Sequence, residues 1–202
     1  MGQPGIVVTG ASGFIGRHFV IAVSRQFRLF CLARRTQKEA GVPKDENIHW
    51  VQVDISNRKD LQDISKYVID RGGADYVLHL AGYYDFSQEE NPAYEMTNVV
   101  GTSNVLELAE TLRARRFLFS SSLAACKFPA RDQMVTEESP ADADFPYAIS
   151  KRKGEDIIRE YSNRLPSTII RLAAVFSDWC EYPPLYMLLK AWLSRRRLMS
   201  RV

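Results

Sequence analysis

A glycine-rich segment near the start of the sequence constrains the fold more than any other feature. Residues 9–16 read TGASGFIG and begin at Thr9, the last residue of the short apolar run Ile6–Thr9. In such a segment Gly10 permits a tight turn, Gly13 lets backbone N–H groups approach a phosphate, and Gly16 lets the next helix lie close to the strand. The helix N-terminus adds partial positive charge. We therefore predict a dinucleotide-binding loop with contacts from Gly10, Ser12, Gly13, Phe14, Ile15 and Gly16.

The glycine spacing alone is weak support for this prediction. It is GxxGxxG, one residue wider in the first gap than the common GxGxxG pattern. Its position between a predicted strand and a predicted helix makes the assignment much stronger. The alternative is a glycine-rich turn that binds no ligand.

Short apolar runs alternate with longer amphipathic stretches through the rest of the chain. Because parallel strands need crossover connections, usually helical, this order predicts an α/β fold with a doubly wound parallel sheet, the Rossmann fold, over residues 1–176. Strands are predicted at Ile6–Thr9, Leu29–Ala33, Ile48–Val53, Tyr76–Leu80, Phe117–Ser120 and Thr168–Leu172. Helices are predicted at 14–26, 58–70, 93–112 and 146–163, and a loop at 34–47.

The sequence changes character after Leu172. Trp179, Pro183 and Pro184 interrupt the pattern, and an apolar and basic helix is predicted over 185–199. We expect residues 177–202 to begin a C-terminal substrate-binding region that the chain leaves incomplete.

Composition excludes several classes of protein. Of the 202 residues, 46% are hydrophobic and 25% charged, which is ordinary for a soluble globular domain, and the net charge of +3 gives no argument for nucleic-acid binding. No apolar run approaches the roughly 20 residues that span a bilayer, and no signal-peptide pattern is recognisable. Cys31, Cys126 and Cys180 have unrelated spacings. We therefore expect a cytoplasmic protein with reduced thiols, no metal and no membrane or nucleic-acid partner.

The end of the second predicted strand bears on the choice of cofactor. A carboxylate there would bind the ribose 2′-hydroxyl of NAD, whereas an arginine can accept the 2′-phosphate of NADP. The sequence has Arg34 and Arg35, with no acid before Glu39. Guanidinium groups bind phosphate in bidentate fashion, so we predict NADP in preference to NAD. The alternative is a pair of solvated loop arginines.

Two later strand ends complete the predicted cofactor site. The third strand is followed by Asp54 and Ile55, where the carboxylate is placed to contact the adenine. The fourth strand runs into Leu80, Ala81 and Gly82, whose small side chains would let a cofactor pass over the sheet edge.

A hydroxyl cluster and a tyrosine–lysine pair are the candidates for catalysis. Ser122 follows the fifth strand, and Pro146 favours a helix start that puts Tyr147 and Lys151 one turn apart on the same face. A tyrosine pKa near 10 is too high for acid–base chemistry at neutral pH, but a neighbouring ammonium and an oxidised nicotinamide would lower it. Ser122 would hold the substrate oxygen. Alone, the pair also arises by chance in many helices.

Taken together, these motifs resemble the extended short-chain dehydrogenases/reductases, also called the NAD-dependent epimerase/dehydratase family. The resemblance covers nearly all of residues 5–176. It implies that Tyr147 is the acid/base, Lys151 its activator and ribose ligand, and Ser122 the substrate-orienting hydroxyl. It also implies that Asn98, whose role is mainly architectural, and Tyr147 belong with Lys151 to the cofactor-binding residues. It implies a homodimer formed by the helices at 93–112 and 146–163. The segments that carry it are TGASGFIG (9–16), DI (54–55), HLAG (79–82), TNVVGTSNVLELA (97–109), FLFSSS (117–122) and YAISK (147–151).

Two departures from family patterns narrow the implied activity. Sugar-nucleotide dehydratases place an Asp-Glu pair after the active hydroxyl, where this chain has Leu123–Ala125. Many sugar epimerases carry Tyr-Gly a few residues after the serine, where this chain has Cys126 and Lys127. We therefore predict an NAD(P)-dependent oxidoreductase acting on a carbonyl or secondary alcohol of a small molecule. The alternatives are an NAD(P)-dependent sugar-nucleotide epimerase and a non-catalytic NADP-binding sensor or scaffold.

Other polar and aromatic side chains are weaker candidates. His79 lies near a strand end and is expected to be structural. The aromatic segment 83–86 follows the fourth strand, where loops line the ligand crevice, so it is a candidate wall for the nicotinamide or an apolar substrate. The basic residues 195–197 are expected to be a solvated helix end, with anion binding as the alternative.

Overall fold

Six strands form one sheet in the computed structural model, which describes residues 3–85, 87, 89–177 and 183–193. The strands are β1 Gly5–Thr9, β2 Arg28–Ala33, β3 Ile48–Gln52, β4 Tyr76–His79, β5 Arg116–Ser122 and β6 Ser167–Leu172. Their order is β3-β2-β1-β4-β5-β6, and the pairings among β1 to β5 are parallel. This order is that of the dinucleotide-binding doubly wound sheet, so the predicted fold is confirmed.

Helices lie in four of the five connections between the strands. The helices are α1 Phe14–Val23, α2 Arg58–Ile69, α3 Gly101–Thr111, α4 Pro146–Tyr161 and α5 Pro183–Leu193, with a π-helix at Tyr94–Val100 and a short 3-10 helix at Leu123–Ala125. The segment 34–47 contains neither helix nor strand, as predicted.

The central strands β1 and β2 are buried on both faces of the sheet. Along β1, Val7 belongs to the apolar cluster shared with α2, α3 and α4, whereas Val8 belongs to the cluster on the α1 side. In β2, Phe30 and Cys31 alternate in the same way, and all four side chains are fully buried. Burial on both faces explains why these strands are almost continuously apolar in sequence.

Element boundaries differ from the sequence-based prediction in two informative places. The predicted helix 93–112 begins as a π-helix, in which the Gly101 N–H bonds to the Met96 carbonyl five residues earlier. Apolar periodicity over so short a stretch does not separate a π-helix from an α-helix. Strand β5 runs on through Ser121 to Ser122, because the Ser121 hydroxyl finds a buried acceptor on α4.

The backbone divides into two compact units, Met1–Arg171 and Leu172–Val202. In the second unit, helix α5 accounts for the start of the helix predicted at 185–199. The remainder of that helix, the basic residues 195–197 and Trp179 lie outside the described residues. The predicted division into 1–176 and 177–202 stays a prediction.

Candidate active site

A cleft of about 480 Å³ opens at the carboxyl ends of β1, β2, β3 and β4. The glycine loop forms its floor. Gly10 has φ +68°, and a Cβ there would lie 2.6 Å from the Ala81 nitrogen, so only glycine fits. A Cβ on Gly16 would overlap the Gly10 carbonyl oxygen. Because glycine has no Cβ, α1 can start directly behind the loop.

Most of the residues predicted to hold a cofactor line this cleft. They are Gly10, Ser12, Gly13, Arg34, Arg35, Asp54, Ile55, Leu80, Ala81 and Gly82. The cleft is also lined by residues that the sequence reasoning missed, namely Leu32, Ala33, Val53 and Thr97. Three of these are apolar strand ends, which are indistinguishable in sequence from core positions.

The other predicted cofactor residues do not line the cleft. Phe14 and Ile15 form the first turn of α1, and Gly16 packs behind the loop. Asn98, Tyr147 and Lys151 lie beyond the cleft, past Gly82. A Cβ on Gly82 would be 3.5 Å from Asn98 Oδ1 and 3.6 Å from Lys151 Nζ, so the lysine stands where the cleft ends.

The two arginines after β2 both line the cleft, but they differ in their hydrogen bonds. Arg35 donates a hydrogen bond to the Ser12 carbonyl and so ties the glycine loop to the end of β2. No such bond to the loop is found for the guanidinium of Arg34. Glu39, the first acid after the strand, is engaged by the backbone N–H and hydroxyl of Thr36 at 2.8 and 2.7 Å. The edge of the cleft beside β2 is therefore cationic.

Asp54 supplies a carboxylate at the end of β3. It accepts hydrogen bonds from the Ser56 backbone N–H at 2.9 Å and from the Ser56 hydroxyl at 2.8 Å. Partial burial raises the pKa of Asp54, but these bonds and the charge of Arg34 outweigh it and leave the pKa below its usual value. The residue is therefore an anionic acceptor at neutral pH.

The three predicted catalytic residues come from β5 and α4. Strand β5 ends at Ser122, whose hydroxyl is close enough to the phenol of Tyr147 to act toward lowering the pKa of that phenol. Pro146 is the first residue of α4, as predicted, and Lys151 follows Tyr147 by one turn. The Lys151 ammonium is 4.6 Å from the centre of the Phe119 ring, and the residue is only 4% exposed.

Burial dominates the electrostatics of this group. It lowers the pKa of Lys151 to about 8, against the charge of Glu155, which raises it. It also raises the pKa of Tyr147 above its usual value, although the hydrogen bond with Ser122 lowers it. Protein groups alone therefore leave the pKa of the phenol above its usual value. The lowering expected from Lys151 together with an oxidised nicotinamide stays a prediction.

Aromatic rings surround Tyr147. The rings of Tyr84 and Tyr147 meet edge to face with centres 4.7 Å apart, and Tyr94 and Phe145 lie 6.3 and 6.5 Å away. Tyr84 belongs to the aromatic segment singled out in the sequence, whereas Tyr94 and Phe145 were missed. Phe86 lies outside the described residues.

Asn98 joins the loop after β4 to helix α4. Its amide donates to the Ser150 hydroxyl at 2.8 Å and to the Tyr83 carbonyl at 3.0 Å, and its oxygen accepts from the Tyr83 N–H at 2.6 Å. Ser150 in turn donates to the Tyr147 carbonyl at 2.7 Å. These bonds hold the first turn of α4 in place.

His79 lies in the core beneath the site. Nδ1 is 2.6 Å from the Thr9 hydroxyl and Nε2 is 3.0 Å from the Thr102 hydroxyl, so the ring joins β1, β4 and α3. Burial, together with the charge of Lys151, lowers the pKa of His79 to about 3. A neutral, fully paired ring is a structural element.

Within the described part of the chain, no helix is long and apolar enough to cross a bilayer. The same residues contain no group of three His, Cys, Asp or Glu side chains placed to hold a metal ion. Cys31 and Cys126 are buried free thiols, and burial raises the pKa of Cys31 to about 12.

Comparison with known proteins assigns the chain to a family. The model of the NAD dependent epimerase/dehydratase family matches residues 6–193, and the chain belongs to that family. A provisionally named UDP-glucose 4-epimerase of Methanocaldococcus jannaschii is 32% identical over 86% of this chain and 56% of its own length. The UDP-glucose 4-epimerase of Pisum sativum is 28% identical over 85% of this chain and 51% of its own length. The chain thus spans about half the length of these relatives.

Solved structures share the fold. The Bordetella bronchiseptica enzyme WbmG in complex with NAD has a TM-score of 0.79 at 22% identity, over 95% of this chain and 61% of that one. The UDP-N-acetylglucosamine 4-epimerase of Methanobrevibacter ruminantium has a TM-score of 0.77 at 24% identity, over 95% and 64%. At these identities the likeness establishes the fold alone.

Proposed function

We propose that the protein is an NAD(P)-dependent epimerase of a nucleotide-linked sugar, inverting a carbinol carbon by transient oxidation. The observation that carries the proposal is the Ser122–Tyr147 hydroxyl pair, with Lys151 one turn away, at the end of a glycine-floored cleft. The curated relatives named for UDP-glucose 4-epimerisation favour this alternative over the net oxidoreductase predicted from sequence. Many sugar epimerases have Tyr-Gly where this chain has Cys126 and Lys127. We give this difference less weight than the similarity to the named epimerases.

The cleft fits a dinucleotide on the grounds of its own geometry. The floor at Gly10 and Gly13 leaves backbone without Cβ atoms where a pyrophosphate would lie, and the start of α1 directs partial positive charge there. Asp54 and Leu80 to Gly82 also line the cleft, so Asp54 would contact the adenosine and Leu80 to Gly82 would border the path toward Lys151. A nicotinamide cofactor held there would supply the hydride chemistry, by which the sugar carbon loses a hydride and regains it on its opposite face.

The chain's own residues would handle the proton and the substrate oxygen. Ser122 would hold the sugar hydroxyl, and Tyr147 would take its proton as the carbon is oxidised and give it back on reduction. Lys151, with its pKa of about 8, carries its charge at neutral pH and would bind the cofactor ribose. Since protein groups leave the Tyr147 pKa high, the rest of the activation requires the positive charge of an oxidised nicotinamide.

For the cofactor, we propose that NADP is preferred. Arg34 and Arg35 line the cleft, and Glu39 is engaged by Thr36 rather than turned toward a ribose. NAD is the alternative, and it is the cofactor in the WbmG complex.

A net oxidoreductase remains the second candidate. Arg34 and Arg35, which directly follow β2, favour it, because arginines at this point resemble the pattern of reductases in this family. The homodimer and the cytoplasmic location stay predictions.

Product analysis tests the proposed activity. The full-length protein is incubated with UDP-glucose and no reductant, and the sugar is followed by NMR. We expect interconversion with UDP-galactose, and a loss of roughly 10²–10⁴-fold in Tyr147→Phe, which removes the acid/base hydroxyl. Tyr161→Phe, at the far end of the same helix, is the control and should retain the wild-type rate. Normal turnover in Tyr147→Phe, or net oxidation or reduction without interconversion, would contradict the proposal.

A further inference from the structure

Helix α4 carries a third polar residue on the face of Tyr147 and Lys151. Glu155 lies one further turn along and is fully buried. A buried carboxylate is costly unless it is fully hydrogen-bonded, and this one is. Burial raises its pKa, but its bonds and neighbouring arginines outweigh that effect and keep the pKa below its usual value, so the group is ionised.

Four donors from three elements meet on this carboxylate. Oε1 accepts from the Ser121 hydroxyl at 2.5 Å and from Arg171 Nε at 2.9 Å. Oε2 accepts from Arg171 Nη2 at 2.8 Å and from Arg159 Nη2 at 2.7 Å. The pair with Arg171 is bidentate, which fixes its geometry as well as its charge.

Arg171 extends the connection to the segment that follows the active hydroxyl. It stands on β6, with its side chain only 12% exposed. Its remaining nitrogen, Nη1, donates a hydrogen bond to the Ser139 carbonyl at 2.6 Å and lies 3.2 Å from Cys126 Sγ. One guanidinium thus ties α4 to β6 and to two points of the segment after the 3-10 helix.

The ends of this network meet at Ser122. Ser121, its neighbour in β5, is bonded to Glu155, and Cys126 follows just after the 3-10 helix that Ser122 caps. The backbone is therefore anchored on both sides of Ser122. The partner of Ser122, Tyr147, lies on the same helix as Glu155.

We propose that Glu155 and Arg171 are positioning residues that hold Ser122 in hydrogen-bonding reach of Tyr147. Neither residue is among those that line the cofactor cleft. This inference rests on the proposed function for its kinetic consequence. It also predicts a spectroscopic change that needs no substrate.

Three variants and one control test the inference in the full-length protein. Glu155→Gln removes the charge of the pair, Arg171→Lys removes its bidentate geometry, and Ser121→Ala removes one hydrogen bond while leaving the ion pair intact. The control is Glu110→Gln, which breaks an exposed ion pair with Arg164 at 2.5 Å that shares no residue with the Glu155 network. Readouts are kcat, cofactor affinity, and the titration of Tyr147 by ¹³C NMR of labelled tyrosine, assigned with Tyr147→Phe.

We expect Glu155→Gln to lower kcat by roughly 100-fold, the scale of a misplacement of about 1 Å, with cofactor affinity within about twofold of wild type. Tyr147 should titrate at higher pH in all three variants and at an unchanged pH in the control, because the interaction with Ser122 favours the phenolate.

If Glu155→Gln does not fold, the Ser121→Ala variant decides the test. A variant that melts at lower temperature but leaves Tyr147 titration unchanged overturns the inference. A wild-type protein without epimerase activity would overturn the proposed function instead, and the NMR result would still decide this inference.

Discussion

Arg34 is the residue on which the choice of nicotinamide cofactor depends. Arg35 already donates to the Ser12 carbonyl, which leaves Arg34 as the guanidinium best placed for a 2′-phosphate. A hydrogen bond to a charged group contributes about 1.5–3 kcal/mol. We therefore expect Arg34→Ala to weaken NADP binding by roughly 10- to 100-fold while NAD binding changes little.

Fluorescence titration with both reduced cofactors checks this expectation. Lys38→Ala is the control, since it removes a cation from the same loop at a position that does not line the cleft. Tighter binding of NADH than NADPH by the wild type, or an NADPH affinity indifferent to Arg34→Ala, would show that the arginines are only solvated loop residues.

At single positions the sequence predicts Ser122, Tyr147 and Lys151 as the reacting groups, but it does not predict the buried contacts around them. Ser122 and Tyr147 were expected to act together, and in the structure the Ser122 hydroxyl acts toward lowering the pKa of Tyr147. Glu155 and Arg171 were missed because their pairing joins a helix to a strand, a contact that no local pattern encodes. One signal was present: Glu155 continues the spacing of Tyr147 and Lys151 by another turn.

Among the secondary structure elements, α1 depends on the absence of a side chain at Gly16. A methyl group there would overlap the Gly10 carbonyl oxygen, so the helix or the loop must shift. We expect Gly16→Ala to lower the free energy of unfolding by about 1–3 kcal/mol, as overpacking does. It should also weaken cofactor binding by at least about tenfold, because a misplaced loop cannot present its N–H groups.

Urea denaturation and cofactor titration measure both effects of Gly16→Ala. Gly41→Ala is a matched control, because Gly41 has φ +68° but no atom within 4 Å of an added Cβ. It should cost about 1–2 kcal/mol of backbone strain and leave cofactor affinity unchanged. Normal cofactor binding by Gly16→Ala would mean that the loop tolerates displacement and does not bind as proposed.

Elements with strong patterns were predicted well, and their ends less so. The apolar runs of β1 and β2 fixed those strands because both faces are buried. The extension of β5 through Ser121 was not foreseen, since a run of serines resembles a loop until the buried acceptor Glu155 is known. The π-helix at Tyr94–Val100 was equally hidden within an apolar helical pattern.

At the scale of the whole molecule, the fold followed from the order of the elements, but the reaction did not. Net hydride transfer and transient oxidation use the same serine, tyrosine and lysine. They differ in whether the oxidised sugar rotates within the site and is then reduced on its opposite face. That rotation depends on the substrate-binding region. The residues of this chain alone therefore favoured an oxidoreductase, and the relatives named as epimerases shifted the proposal.

The most direct test of the central claim is epimerisation carried out in D₂O by the full-length protein. If the hydrogen leaves the sugar carbon as a hydride to a bound nicotinamide and returns, UDP-galactose formed from UDP-glucose will carry no deuterium at the inverted carbon. Mass spectrometry and proton NMR of the product read this out. Deuterium at that carbon would show that the hydrogen leaves as a proton, and it would contradict hydride transfer at the Ser122–Tyr147–Lys151 site.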